Sequence, residues 1–363
     1  MASTDIGIFL PTINGWIVST AVPQQLSTYE LNKQVVQTAE AYGIDFVLTP
    51  VKLRGLGGKS GIWDDGLEAF TAISALAAIT SRIKLFASSA ILALPPAVAA
   101  RMAATIDSIA PGRFGINIVT GWLPTEYAQM GLWPGDEYFG YRYDYATEYV
   151  QVMKELWKDG VSNFKGKYFE MDDCKLSPRP KDDVKIVAAG QSGRGIEFAS
   201  QNAEYNFIFG LGVNTPTAHG EVASRLVEAA AKAGRDVGLY VLFLIIADET
   251  DEAAQEKWKL YNEGVDTEAL GFVKSQTSKD SNNADPKSTS ATLSLPEGAI
   301  TVNLGTLIGS YEKIAGMLDE AAEVPGTKGI MFVFVEWPND VEVFGQKIQP
   351  LMESRRGRIH VEV

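Results

Sequence analysis

Residues 83–120, IKLFASSAILALPPAVAARMAATIDSIAPGRFGINIVT, read as one complete strand–helix–strand unit. Ile83–Ser88 and Phe114–Thr120 are short apolar runs without the polar alternation of a half-exposed strand, which is how parallel strands buried on both faces read. Between them, Pro95 and Pro96 open a helix and Pro111 with Gly112 close it, because proline fits the first helical turn but not its interior. Outward from this unit the same order repeats. Further strands are expected at Asp5–Pro11, Asp45–Thr49, Val184–Ala189, Asn206–Phe209, Leu239–Ala247 and Gly329–Val335. Helices are expected between them, the longest at Tyr138–Asp159 and a nearly all-apolar one at Leu67–Thr80. Ser27 followed by Glu30 reads as a capping box for another. Eight βα units with continuous apolar strands imply an α/β fold, a (β/α)8 TIM barrel, forming a single domain over residues 1–363. Two stretches interrupt the pattern. Residues 162–179 (SNFKGKYFEMDDCKLSPR) read as an inserted β-hairpin, and residues 276–298, rich in Ser, Thr, Asp and Asn, read as a polar lid loop.

The chain has 32 Lys and Arg against 45 Asp and Glu, a net charge of −13, which repels phosphate backbones and anionic membranes. No nucleic acid and no membrane partner is expected. With two histidines and one cysteine there is no disulfide framework and no metal site of the Cys/His kind. His219 is expected at the surface or as a cap, His360 in a charged tail, and Cys174 as a packing residue. No leader or spanning segment is read, so a cytoplasmic location is expected.

In a barrel of this class chemistry sits at the C-terminal ends of the strands. Those ends read TINGW (12–16), VKLRGLGG (51–58), Ser88-Ser89, NIVTGW (117–122), GQSGRG (190–195), GLGVN (210–214), Asp248-Glu249 and Glu336-Trp337. They are amides, hydroxyls, glycines and aromatics, with few groups that titrate near neutrality. An organic cofactor is therefore expected to carry the chemistry. In VAAGQSGRG, a strand meets Gly190, then Ser192, Gly193 and Gly195 open a helix, a suitable cradle for an anion. An ordinary βα turn with a serine cap is the alternative. Arg142 stands among Trp133, Tyr138, Phe139, Tyr141, Tyr143, Tyr145 and Tyr149 and is a candidate to pair with the same phosphate.

The motifs ELNK, VKLRGLGGK, LPPAVAARMAATIDSI, GRFGINIVTGW, WPGDEYFGYRYDYATEYVQV, AAGQS, GVNTPTA, IADETDEAA and FGQKIQPLM occur in this order over about residues 5–352. In them the chain resembles the bacterial luciferase-like flavin monooxygenases, and within these the FMN-dependent pyrimidine (uracil) oxygenases. The resemblance implies FMN at the strand ends, used as FMNH2 from a separate NAD(P)H flavin reductase, with dioxygen as co-substrate and a homodimer or homotetramer as the assembly. Carried over, it implies flavin contacts at Val51, Lys52, Asn117, Glu126, Arg142, Tyr143 and Ser192. It implies catalytic roles for Asn117, Ser88 and Lys52, and a pocket kept dry by Leu48, Trp122 and Trp133. The implied reaction opens uracil or thymine between N3 and C4 through an oxygen adduct at flavin N5, giving a ureidoacrylate-type product.

Three readings compete with it. One is an FMNH2-dependent monooxygenase of an alkanesulfonate, aldehyde or other heterocycle acting through a C4a hydroperoxide. Another is a deazaflavin-dependent dehydrogenase, and the third a flavin- or pyrimidine-binding protein without turnover. Ser88 stands where the nearest family members have threonine, and TINGW replaces a doubled-asparagine loop.

Overall fold

The computed structural model describes residues 4–22, 24–280, 291 and 300–357. Eight parallel strands close into a barrel: β1 (Asp5–Phe9), β2 (Phe46–Thr49), β3 (Lys84–Ala90), β4 (Phe114–Val119), β7 (Lys185–Ala189), β8 (Tyr205–Phe209), β9 (Gly238–Asp248) and β11 (Thr327–Val333). Closure comes from the pairing of β11 with β1, in which Asp5 faces Gly329 and Ile8 faces Phe332. All eight expected strands are present, each with one or both ends displaced by a residue or more, β8 and β9 being longer than expected. A further strand, β10 (Thr306–Ser310), was not expected. It pairs with Leu244–Asp248 above the point where β8 leaves β9, and Gly305 donates to Gly210 O. With only five residues, two of them Thr and Ser and one Gly, its sequence carries little strand signal.

Large aromatics fill the lower half of the barrel. The ring of Tyr240 stacks on Phe46 and on Tyr205 at centroid distances of 4.4 and 4.2 Å. Glycine makes room for them: a Cβ at Gly7 would lie 2.3 Å from the Phe46 ring, and one at Gly115 would lie 2.4 Å from Phe86. The upper half is left for a cavity.

The helices form the outer layer. α1 (Tyr29–Ala41) is capped by Thr28, whose side chain accepts from Leu31 N. This corrects the expected Ser27 capping box. Ser27 is held instead through its own N–H, which donates to Asp65, and Glu30 pairs with Lys33 on the surface. α2 (Ala69–Ala77) is buried along most of its length, and α3 (Pro96–Ile109) starts and stops at the expected prolines. α4 (Pro124–Ala128) follows β4, and α5 (Tyr138–Asp159) has the expected bounds. α6 (Gly193–Asn202), α7 (Gly220–Lys232) and α8 (Asp251–Glu263) follow β7, β8 and β9. Near the C-terminus a short α-helix (Asn339–Val343) runs into a π turn at Phe344–Ile348 and a 3-10 turn at Gln349–Leu351.

The hairpin insertion is reduced to β5 (Val161–Ser162) against β6 (Cys174–Lys175), with one further bridge from Lys165 to Glu170. The first two residues of the stretch expected to be a lid, Gln276 and Thr277, belong to α9 (Thr267–Thr277). Residues 281–290 and 292–298 of that stretch lie outside the described residues, as does His360. His219 is not at the surface: it is 1% exposed, and its Nε2 lies 2.9 Å from Thr327 Oγ1. It occupies the N-cap position of α7, but its side chain makes no cap bond. Among the described residues no helix is long and apolar enough to cross a membrane, and no group of three His, Cys, Asp or Glu side chains could hold a metal.

Candidate active site

At the C-terminal ends of the strands the loops enclose about 770 Å³ of space free of protein atoms, part of it open to solvent. Its polar floor comes from β3 and β4. Asn117 and Ser88 are cross-strand partners in the β3–β4 register. Their side chains point the same way because paired residues of adjacent parallel strands share a face. Asn117 Nδ2 donates to Ser88 Oγ at 2.8 Å, and Ser88 Oγ donates onward to the carbonyl of Thr49 on β2. That chain fixes the carboxamide and leaves Asn117 Oδ1 as a buried acceptor with no partner. A buried acceptor in this state costs free energy until a donor reaches it.

Val51 and Lys52 follow β2 and line the same cavity. Lys52 Nζ lies 3.3 Å from Glu126 Oε2 on α4, and Glu126 Oε1 accepts from Leu53 N at 3.1 Å. The ammonium also lies over two indoles, 5.0 Å from the Trp63 ring centroid and 4.4 Å from that of Trp122. Burial pushes the Lys52 ammonium down and the Glu126 carboxyl up, and their attraction opposes both shifts.

The walls are aromatic. Trp16 packs against Phe9 at 5.3 Å and edge-on against Trp63 at 5.4 Å, and Phe207 and Phe209 of β8 complete that side. Trp122 lines the cavity as expected. Leu48 and Trp133 do not: Leu48 is sealed in the barrel core, and Trp133 packs on Tyr127, Tyr138 and Phe139 outside it.

Two of the anion candidates, Ser192 and Tyr143, meet beside Gly190. Ser192 caps α6, its side chain accepting from Gly195 N at 3.2 Å. Tyr143 reaches the same turn from α5, so closely that a Cβ at Gly190 or Gly195 would lie 2.5 or 2.8 Å from its hydroxyl. Arg142 is 3% exposed and packs over the rings of Phe139 and Tyr143. Its guanidinium pairs with Asp280, beyond the end of α9, at 3.1 Å, while its Nε has no acceptor. The remaining aromatics of α5 serve packing: Tyr141 stacks on Tyr168, Tyr145 packs at a tilt against Phe169, and Tyr149 lies 3.1 Å from Ser89 Oγ.

The structure thus gathers Val51, Lys52, Ser88 and Asn117 around one cavity, with Glu126 behind Lys52. It places Tyr143 and Ser192 at the adjoining turn, and Arg142 against Asp280, Gly121 O and the Tyr143 ring. Asp248 and Glu336, also at strand ends, do not line it; Asp248 is held by Lys257 at 2.9 Å. Trp63, Phe207, Phe209 and Asp280 were not singled out from sequence, and Trp16 was read only as part of the strand end TINGW. Phe207 and Phe209 were legible as i, i+2 partners on one face of a strand, whereas Trp63 and Asp280 arrive through long loops without a periodic signal.

The model of the luciferase-like monooxygenase family matches residues 4–328. The chain is similar to the pyrimidine monooxygenase RutA of Bradyrhizobium sp. (strain BTAi1), with 59% identity over 356 residues, 98% of this chain and 99% of that one. It is similar to the protein of the same name from Klebsiella pneumoniae (strain 342), with 54% identity over 351 residues and 96% of each chain. Among solved structures, riboflavin lyase RcaE, crystallised with a modified FMN and riboflavin, superposes with a TM-score of 0.82 at 19% identity over 97% of this chain and 92% of that one. The long-chain alkane monooxygenase LadA does so with 0.79 at 22% identity, over 98% and 92%. At these identities the two structures share the fold.

Proposed function

The chain belongs to the luciferase-like monooxygenase family, and from that membership we propose that it is a two-component, FMNH2-dependent monooxygenase that opens uracil or thymine between N3 and C4 to a ureidoacrylate-type product. The observation that carries this choice of substrate is the 59% identity, over nearly the whole of both chains, with a pyrimidine monooxygenase.

The residues fit the cofactor. A phosphate at the head of α6 would find the Gly190–Gly195 cradle, the dipole of the helix and the unpartnered Nε of Arg142, with Asp280 giving way. Val51, Lys52 and Asn117, with Glu126 behind, would border the flavin ring. When bound, reduced FMN would supply the electrons that activate the co-substrate dioxygen. The chain's own contributions are positional and electrostatic. Asn117 Oδ1, fixed through Ser88 and Thr49, accepts an N–H from whatever ring lies on the cavity floor. Lys52 places a buried positive charge where a carbonyl oxygen gains negative charge, and the indoles around it keep water away. No side chain here needs to act as a nucleophile. FMNH2 would come from a separate NAD(P)H flavin reductase.

Turnover of a substrate panel tests the reading. With FMN, NADH and a generic flavin reductase, uracil or thymine is expected to be consumed, and an alkanesulfonate or a long-chain aldehyde is not. Turnover of the sulfonate or aldehyde alone would move the chain to the other monooxygenase reading.

A further inference from the structure

We propose that Trp16 is a specificity-determining residue whose indole N–H donates to a ring carbonyl oxygen of the pyrimidine. The inference rests on the cyclic-amide substrate proposed above. Trp16 is 6% exposed and lines the cavity, yet its Nε1 is buried without any acceptor in the protein. The other indole in contact with it does not share this state: Trp63 Nε1 donates to Gly15 O at 3.0 Å. An unsatisfied N–H on a residue that lines a ligand cavity is stabilised when a ligand or water supplies an oxygen.

Position decides which ligand. The residues proposed to border the flavin lie on or after β2, β4 and β7, together with α5, whereas Trp16 follows β1 and packs edge-on against Phe209 at the end of β8, a different stretch of the wall. Four aromatic neighbours, Phe9, Trp63, Phe207 and Phe209, surround that wall, a setting that excludes water and makes one directed donor count for much. A cyclic amide carries ring carbonyl oxygens that can accept from this N–H, and an alkyl chain carries none.

The test replaces Trp16 by Phe, which keeps an aromatic ring and removes the N–H, and replaces oxygen by sulfur in the substrate. Wild-type enzyme is assayed on uracil, 2-thiouracil and 4-thiouracil, since a thiocarbonyl is the poorer acceptor. Wild type is expected to disfavour one thio analogue, and Trp16→Phe is expected to lose about tenfold in kcat/KM on uracil with flavin affinity unchanged. The variant should lose that discrimination, because the contact the sulfur weakens is already gone. Equal discrimination by variant and wild type overturns the proposal, and so does a fall in flavin affinity, which assigns the N–H to the cofactor. Wild-type enzyme inactive on every pyrimidine fails the underlying reading instead.

Discussion

Lys52 Nζ and Glu126 Oε2 lie 3.3 Å apart with their side chains 9% and 5% exposed, and the ammonium sits against the faces of Trp63 and Trp122. Two charges held this deep repay their desolvation only while both are present. Glu126→Gln and Lys52→Met are each expected to lower the unfolding free energy by about 3 kcal/mol, and the double variant by clearly less than the sum. Denaturant unfolding of the four proteins checks this; additive losses would show that the pair does not act as a unit.

Ser88 ties Asn117 to Thr49, so its hydroxyl orients the carboxamide. Ser88→Ala frees Asn117 to rotate, and turnover is expected to fall ten- to a hundredfold with flavin binding kept, the range for a misplaced group at a reacting centre. Ser88→Thr restores the hydroxyl and should keep most activity. Steady-state kinetics with flavin titration separates the two variants.

Arg142 is held by Asp280 at 3.1 Å where the cofactor phosphate is proposed to sit. Arg142→Ala is expected to weaken FMN binding by about 2 kcal/mol, some thirtyfold. Asp280→Asn removes the competing anion and is expected to tighten it. Fluorescence titration of FMN measures both, and opposite signs are required.

His219 is buried against Phe243, and burial pushes its imidazole down to about 4. Unfolded chain takes up a proton near 6.5, the ordinary histidine value, whereas folded chain waits until about 4. Stability is thus unaffected by this group above pH 6.5 and falls as the pH drops from there to 4, by about 3 kcal/mol in all. Asp340, raised by burial to about 6, works in the opposite sense, gaining stability as the pH falls from 6. The difference in Tm between wild type and His219→Asn isolates the histidine. The wild-type Tm should drop relative to the variant between pH 6.5 and 4, and a constant difference would show that the ring titrates normally.

The barrel was legible because its strands are buried on both faces and read as unbroken apolar runs. Thr306–Ser310 escaped notice because TLIGS gives almost no such signal. Asn117 and Ser88 were legible as cavity-lining because each stands near the C-terminal end of a strand, and Ser192 as a cap because it stands at a helix start. The Lys52–Glu126 pair joins residues 74 apart in the chain, and no spacing rule connects them. Trp16 was visible in TINGW, but its unsatisfied N–H is a property of surroundings drawn from β1, β8 and the loop of Trp63. His219 shows the reverse failure: its place at a helix start suggested exposure, and only the packing of α7 against β9 and β11 buries it.

Mass spectrometry of the product formed from uracil under isotope-labelled dioxygen tests the account most directly. Purified protein, FMN, NADH and a generic flavin reductase are predicted to yield a ring-opened product carrying an oxygen atom from the labelled gas. Uracil left intact by protein that binds FMN, or a ring-opened product without the label, would contradict it.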